Sequence, residues 1–124
     1  MDKVIIITSI NPPKDEIKSF AALKDWKVIC VADNKTPRDW AYKNVDLVTT
    51  TDQQKKFPKL SSVFPWNLYA RKNFGYLYSI KNGSKIIYES DDDMFPYKNF
   101  PSQINFRSKT KILKGEKFIN INDF

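Results

Sequence analysis

Apolar residues in this chain are concentrated in short continuous runs near its N-terminus. Residues 3–9 and 26–32 are both rich in β-branched side chains, a pattern typical of parallel strands that are covered on both faces. Between them, residues 15–23 place apolar side chains near helical spacing, with acids in the first turn, where the helix dipole favours them. A strand, a helix and a strand within about thirty residues predict a βαβ unit with a right-handed crossover.

The hydrophobic pattern weakens after the second strand and then strengthens again. Residues 38–40 predict a short helical turn, residues 45–50 a third and more peripheral strand, and residues 52–59 a polar loop. Residues 65–80 give the strongest helix prediction in the chain. Its apolar stripe, at positions i, i+4, i+7 and i+8, consists of Ala70, Phe74, Leu77 and Tyr78.

Glycine has a specific meaning at two positions of this segment. Gly75 lies inside the predicted helix, where glycine costs about 1 kcal/mol relative to alanine, so we expect close approach of another backbone or of a ligand there. Asn82 and Gly83 tolerate a left-handed backbone and are expected to end the helix.

A short apolar run leads directly into three consecutive aspartates. Residues 86–88 predict a buried strand, because the run is too short for a helix and has Gly83 on one side and acidic residues on the other. Adjacent carboxylates repel one another, and a chain with no histidine and one cysteine offers a hard divalent ion, Mg²⁺ or Mn²⁺, as their natural counter-charge. Open α/β sheets bind ligands at the carboxyl ends of strands. A solvated acidic turn, or the cap of a helix that starts near Met94, remains the alternative.

Length and composition limit the choice of protein class. The 124 residues suffice for one domain, and 41% apolar with 15% aromatic residues excludes wholesale disorder. The sequence contains neither a membrane-spanning run nor a signal peptide, so a cytoplasmic location is expected. Cys30 lies in an apolar run and is interpreted as a small buried hydrophobe, which leaves no disulfide or zinc site.

The charge balance favours an anionic partner. The chain has 21 Lys and Arg residues and 14 Asp and Glu residues, so its net charge is 21 − 14 = +7. A positive net charge suits a nucleic acid, a phosphate-bearing small molecule or an anionic membrane surface. No glycine precedes Gly75, so the glycine-rich dinucleotide fingerprint is absent. Asp33, at the tip of the second predicted strand, is placed to accept hydrogen bonds from a base or ribose. A turn residue before Pro37 is the alternative interpretation of Asp33.

Two neighbouring segments resemble a known family. Residues 69–80 contain an A-R-x-N-x-G pattern on a predicted helix, and residues 83–93 form a strand that ends in an acidic DxD-type motif. Both resemble the donor half of GT-A glycosyltransferases. The similarity to the STELLO-type glycosyltransferase-like family extends from residues 7–13 through 26–28 and 33–37 to the triple aspartate.

The resemblance implies a fold for the whole chain. It implies a single α/β domain over residues 1–124, with a GT-A, nucleotide-diphospho-sugar transferase-like, mostly parallel sheet flanked by helices. Residues 104–113 and 117–121 predict two further strands, and residues 117–124 resemble the start of a later family segment. We therefore expect a domain that is truncated after its donor-binding half.

The resemblance also implies an activity and a set of metal ligands. A nucleoside-diphosphate sugar would bind through Mn²⁺ or Mg²⁺ at the acidic strand end, and its sugar would pass to an unknown acceptor. Asp91 and Asp93 would hold the ion, with Asp92 directed towards ribose or solvent. In an alternative register Glu89 and Asp91 hold it, and strand alternation places residues 89, 91 and 93 on one side.

Further site residues follow from the same resemblance. Arg71 would either contact phosphate or orient the aspartates through a salt bridge, with a purely structural ion pair as the alternative. Thr8 and Asp33 would line the nucleoside pocket, and no catalytic base is assigned.

Two other functions remain open from the sequence. A non-catalytic glycosyltransferase-like domain would bind a partner protein, because a fold does not determine function. A basic nucleic-acid-binding module is suggested by the net charge and by aromatic residues near lysines. Nucleic acid is the less favoured partner, since the carboxylates of residues 91–93 would repel its phosphates.

Overall fold

A four-stranded parallel sheet forms the centre of the computed structural model, which describes residues 2–100. The strands are β1 (Lys3–Ser9), β2 (Lys27–Ala32), β3 (Val45–Val48) and β4 (Ile86–Glu89), and their order in the sheet is β3-β2-β1-β4. The helices are α1 (Asp15–Ala21), α2 (Thr50–Lys56), α3 (Pro58–Val63) and α4 (Lys72–Lys81), and a 3-10 turn over Tyr69–Arg71 precedes α4. This arrangement confirms the predicted α/β class and is consistent with the donor half of a GT-A-like fold.

The two central strands are buried on both faces, as their continuous apolar sequences predict. On one face, Ile6 of β1 and Ile29 of β2 form a fully buried cluster with Phe74 of α4. On the other face, Ile5 packs with Phe20 of α1. The layers of helix on each side of β1 and β2 therefore hold the strand ends in fixed positions.

The helix α4 begins later than predicted. The segment before it contains Pro65 and Asn67, and Asn67 has a φ of 59°, a left-handed conformation that interrupts a helix. The predicted apolar stripe is wrong at Leu77, which is 36% exposed, because the face that meets the sheet is centred on Phe74 and Gly75.

Gly75 allows α4 to lie directly against the sheet. A Cβ atom at this position would lie 2.5 Å from Ile6 Cγ2 and 2.8 Å from Val31 Cγ2. Gly75 is thus closely approached, but by strand side chains and not by the backbone or ligand that the sequence predicted. Gly83 has a φ of 76° at the end of α4, as predicted for the residue that ends the helix.

The predicted polar loop over residues 52–59 is wrong. The Thr49 hydroxyl accepts a hydrogen bond from the Asp52 amide, and the Asp52 carboxylate accepts one from the Thr49 amide, so a capping box starts α2. Pro58 then begins α3, a position that proline favours. Residues 38–40 form a hydrogen-bonded turn rather than a helical one, closed by the Trp40 amide and the Pro37 carbonyl.

The strand β4 is half-exposed, which corrects the prediction that it is buried. It pairs with β1 from Ile86, opposite Lys3, to Glu89, opposite Ile6, and has no second neighbouring strand within residues 2–100. Tyr88 is 36% exposed because of this edge position. The strands predicted within residues 104–121 lie outside the described part of the chain.

None of the helices within residues 2–100 combines the length and the apolar character needed to cross a bilayer. The cytoplasmic location stays a prediction.

Candidate functional site

The carboxyl ends of three neighbouring strands form the candidate site. Because β1, β2 and β4 run parallel, Thr8, Asp33 and Asp92 are brought to the same edge of the sheet. All three line a cleft with a volume of about 380 Å³, whose lining also includes residues 67–69. The structure therefore gathers three of the four residues that were predicted to bind substrate.

The carboxylate of Asp92 is held in this cleft by two donors. The Ser9 hydroxyl donates to Asp92 Oδ2 over 2.6 Å, and the Asn11 side-chain amide donates to the same oxygen over 3.2 Å. These contacts fix the orientation of Asp92 towards the end of β1. The sequence interpretation missed Ser9 and Asn11, although polar residues at the end of a strand near a predicted ligand edge are a usable signal.

Side-chain hydrogen bonds also fix the loops at the base of the cleft. The Thr36 hydroxyl donates to the Ser9 carbonyl over 2.6 Å and accepts from the Asp33 amide over 2.8 Å. The indole of Trp40 donates to the Asn11 carbonyl over 2.8 Å. The segments that follow β1 and β2 are thus joined before any ligand binds.

Lys72, at the start of α4, contacts the acidic end of β4 through Glu89 and Asp91, away from the contacts of Asp92 with Ser9 and Asn11. Its ammonium lies 2.8 Å from Asp91 Oδ1 and 3.8 Å from Glu89 Oε1, and it donates to the Ser90 carbonyl over 3.2 Å. The Tyr76 hydroxyl donates to the Glu89 carboxylate. Glu89 and Asp91 therefore share one side of the chain, as strand alternation predicts.

A second cavity, of about 320 Å³, lies at this group of residues. Lys72, Glu89 and Asp91 line it, and Tyr69 lines both this cavity and the first cleft. Asp93 is exposed. Asp92 thus faces the first cleft and Asp91 the second cavity, while Asp93 lines neither.

Arg71 is fully buried behind the cleft. Its guanidinium carbon lies 3.2 Å from the centroid of the Trp66 ring, and its Nη1 donates to Gln53 Oε1 over 3.3 Å. Its Nε and Nη2 atoms have no hydrogen-bond partner within the described residues. Burial lowers the pKa of Arg71, while the negative charge of Asp33 acts in the opposite direction.

The ion pair to the triple aspartate is made by the neighbour of Arg71. Within residues 2–100 Arg71 forms no salt bridge, whereas Lys72 pairs with Asp91. Gln53, fully buried, donates from Nε2 to the Ala32 carbonyl over 2.7 Å and to the Val48 carbonyl over 3.1 Å, so it joins Arg71 to the ends of β2 and β3. Arg71 is therefore part of the structural support of the cleft, and a phosphate contact by Arg71 stays a prediction.

The arrangement of carboxylates does not fit a metal site built by the protein alone. Across residues 2–100, no three Asp, Glu, His or Cys side chains lie close enough together to ligate one ion. Asp91 is already paired with an ammonium, and Asp92 is turned into the other cavity. The metal roles predicted for Glu89, Asp91 and Asp93 stay predictions.

Cys30 contributes nothing to the chemistry of the site. It is a fully buried free cysteine, as predicted from its apolar surroundings. Burial raises the pKa of its thiol to about 12, with a smaller effect in the same direction from the charge of Asp92. The thiol is therefore protonated at neutral pH and is a poor nucleophile.

Two curated proteins of Arabidopsis thaliana match this chain. It is 30% identical to "Probable glycosyltransferase STELLO1" and 29% identical to "Probable glycosyltransferase STELLO2", in each case over 91 residues. The predicted resemblance to the STELLO-type glycosyltransferase-like family is thereby confirmed. The match covers 73% of this chain but 12% of each relative. No family model matches the chain.

In this chain, the A-R-x-N-x-G pattern forms the start of α4. The Asn73 side-chain amide donates to the Ala70 carbonyl over 2.9 Å and so supports the first turn. Arg71 lies under Trp66, and Gly75 contacts the sheet. The pattern therefore fixes how α4 approaches the strand ends that carry the cleft.

Proposed function

We propose that this chain binds a nucleoside-diphosphate sugar in the cleft at the carboxyl edge of the sheet and supplies the donor site of a glycosyltransferase. The observation that supports this most directly is the convergence of Thr8, Asp33 and Asp92 in one cleft of about 380 Å³. The similarity to probable glycosyltransferases gives the same expectation independently. The acceptor is unknown.

The cleft offers groups that suit a nucleoside. Carboxylates accept hydrogen bonds from ribose hydroxyls or from a base N–H group, and Asp33 and Asp92 would take these roles. Tyr69 is 78% exposed at the cleft, so its ring is accessible to the face of a base. Thr8 adds a hydroxyl that both donates and accepts.

Positive charge near the cleft suits the diphosphate. Lys35 lines the cleft beside Asp33, and Arg71 carries a buried positive charge near the same carboxylate. When the bond between the sugar and the diphosphate breaks, negative charge develops on the leaving group, and fixed positive charges stabilise it. Arg71 would reach phosphate only if Trp66 moves off its guanidinium.

A divalent ion is the part of the prediction that the geometry fits least. Mn²⁺ or Mg²⁺ would supply Lewis-acid stabilisation of the leaving diphosphate. To bind at Asp91 with either Glu89 or Asp93, such an ion would have to compete with the Lys72 ammonium, which already contacts Asp91 Oδ1. The proposal for the donor therefore does not depend on the ion.

Calorimetry with UDP, GDP and their sugar conjugates tests the donor site. We expect the chain to bind at least one of these nucleotides, and Asp92→Asn to weaken that binding about tenfold, because a charged acceptor becomes neutral. Asp15→Asn is the matched control, since Asp15 is an exposed residue of α1 that pairs with Lys18 at the surface. Absence of nucleotide binding, or equal affinity of Asp92→Asn and the unaltered chain, would refute the proposal.

Turnover separates an enzyme from a domain that only binds. Release of free sugar from the donor that binds, including slow hydrolysis, would show a competent donor site. Binding without any release would favour the non-catalytic alternative.

A further inference from the structure

We propose that the Lys72 ammonium neutralises the carboxylates at the end of β4. It takes the position between Glu89 and Asp91 that would otherwise suit a divalent ion. The role belongs to this chain's own fold and is separate from nucleotide binding. Its consequence for donor binding rests on the proposed function.

The positive charge of Lys72 is balanced by the oxygen atoms around it. The ammonium has three donors and no acceptor, and it lies close to three oxygens that come from consecutive residues. These are Glu89 Oε1 at 3.8 Å, the Ser90 carbonyl at 3.2 Å and Asp91 Oδ1 at 2.8 Å. The ammonium therefore lies between the two carboxylates and the carbonyl, with its closest contact at hydrogen-bond distance from Asp91.

The backbone at this point is also held in place. The Ser90 amide donates to the Ile6 carbonyl over 3.0 Å, so the hydrogen bonding between β4 and β1 continues to the residue whose carbonyl Lys72 contacts. Tyr76, one helical turn after Lys72, donates to the Glu89 carboxylate. Two residues on the same face of α4 thus hold the acidic end of β4 together.

Burial distinguishes this ion pair from the ordinary surface pairs of the chain. The Lys72 side chain is 8% exposed, whereas the Lys85 side chain, which pairs with Asp2, is 76% exposed. Its two carboxylate partners are themselves 59% (Glu89) and 48% (Asp91) exposed, so the buried partner is the lysine. Without Lys72 both carboxylates would remain in contact with water and would be free to bind another cation.

The position of Lys72 also suits an interaction between its charge and a bound diphosphate. It lines the second cavity, and Tyr69 borders both that cavity and the cleft that holds Asp92. A diphosphate that extends from the cleft past Tyr69 would meet the ammonium. Lys72 would then stabilise the leaving group in the role that a metal ion has in other phosphate sites.

Manganese titration followed by electron paramagnetic resonance tests this assignment without any nucleotide. We expect no Mn²⁺ site at Asp91 in the unaltered chain, so that Asp91→Asn leaves its Mn²⁺ binding unchanged. Lys72→Met should bind Mn²⁺ at least tenfold more tightly than the unaltered chain, and the double variant Lys72→Met/Asp91→Asn should lose this gain. Lys85→Met, which removes an exposed lysine, is the matched control and should gain nothing.

Two results would overturn the proposal. One is Mn²⁺ binding by the unaltered chain that Asp91→Asn abolishes. The other is a folded Lys72→Met variant that gains no Mn²⁺ site.

Thermal unfolding with and without Mn²⁺ provides a second test if Lys72→Met folds poorly. Mn²⁺ should then raise the Tm of Lys72→Met and leave that of the unaltered chain unchanged. Lys72→Arg keeps the positive charge, so it should fold and exclude Mn²⁺. A Mn²⁺ site in Lys72→Arg, or a Lys72→Met variant whose Tm does not respond to Mn²⁺, would refute a role of Lys72 in place of the ion.

Nucleotide-binding measurements test whether Lys72 also stabilises the bound donor. With EDTA present, the affinity of the unaltered chain for UDP or GDP should change less than twofold, while Lys72→Met should lose at least tenfold and regain it with Mn²⁺. If EDTA abolishes binding to the unaltered chain, the assignment is wrong. If no variant binds either nucleotide, the donor proposal fails, and the manganese titration still decides the role of Lys72.

Discussion

The Ser9 hydroxyl donates a 2.6 Å hydrogen bond to the Asp92 carboxylate, which lies 83 positions later in the sequence. Ser9 is the last residue of β1, and Asp92 follows β4, so this bond joins the ends of two neighbouring parallel strands. Ser9 is only 4% exposed. The donor is therefore buried while Asp92 is partly exposed in the cleft, and the bond fixes the orientation of Asp92.

Replacing Ser9 by alanine should weaken both the fold and the cleft. Loss of a partly buried hydrogen bond to a charged acceptor costs about 1–3 kcal/mol, and Asp92 would retain only the Asn11 side-chain amide of its two donors. Urea unfolding should show this loss, and calorimetry should show weaker nucleotide binding. Ser62→Ala is the control, because the Ser62 hydroxyl bonds the Lys59 carbonyl at an exposed site, and its effect should stay below about 0.5 kcal/mol.

Replacing Gly75 by alanine should destabilise the chain even though alanine favours helices. The helix gains about 1 kcal/mol, but overpacking a core costs about 1–3 kcal/mol, and the new Cβ would lie 2.5 Å from Ile6 Cγ2. Urea unfolding of Gly75→Ala, Ile6→Ala and the double variant measures the coupling. We expect the double variant to lose less than the sum of the single losses; strict additivity would show that the two positions do not clash.

The buried thiol of Cys30 should make stability fall at alkaline pH. Its pKa is raised from 9.0 to about 12, so above pH 9 the unfolded chain releases a proton that the folded chain keeps. The contribution is complete below pH 9 and is lost as the pH rises towards 12. The difference in unfolding free energy between the unaltered chain and Cys30→Ala should therefore shrink between pH 9 and 12, and a constant difference would contradict the burial effect.

Replacing Arg71 by methionine should separate its structural role from a role in binding. Methionine removes the unpartnered Nε and Nη2 atoms, but it also removes the hydrogen bond to the buried Gln53 Oε1 and the contact with the Trp66 ring, so stability should fall by about 1–3 kcal/mol. We expect nucleotide affinity to fall about tenfold, since a positive charge behind the cleft is removed. Arg38→Met, at an exposed position, is the control. Unchanged affinity with a large loss of stability would make Arg71 purely structural.

Continuous apolar runs made part of the fold predictable. The β-branched runs of β1 and β2 exceed what any surface element could carry, so only central parallel strands suit them. The helices α2 and α3 were missed because their residues are mostly polar. The start of α2 depends on a capping box between Thr49 and Asp52, and α3 begins at Pro58, so neither is marked by an apolar stripe. The burial of β4 was overestimated because a run of three apolar residues does not say how many neighbouring strands it has.

The sequence by itself determined that acidic residues end β4 and that Thr8 and Asp33 lie at the ends of neighbouring strands. Only the tertiary structure decided which carboxylate meets which partner. Asp92 turns to Ser9 and Asn11, while Asp91 turns to Lys72, because the pairing of β4 with β1 and the approach of α4 over Gly75 place those partners on opposite sides. Side-chain direction alternates along a strand, but the group found on each side depends on contacts between residues far apart in the chain.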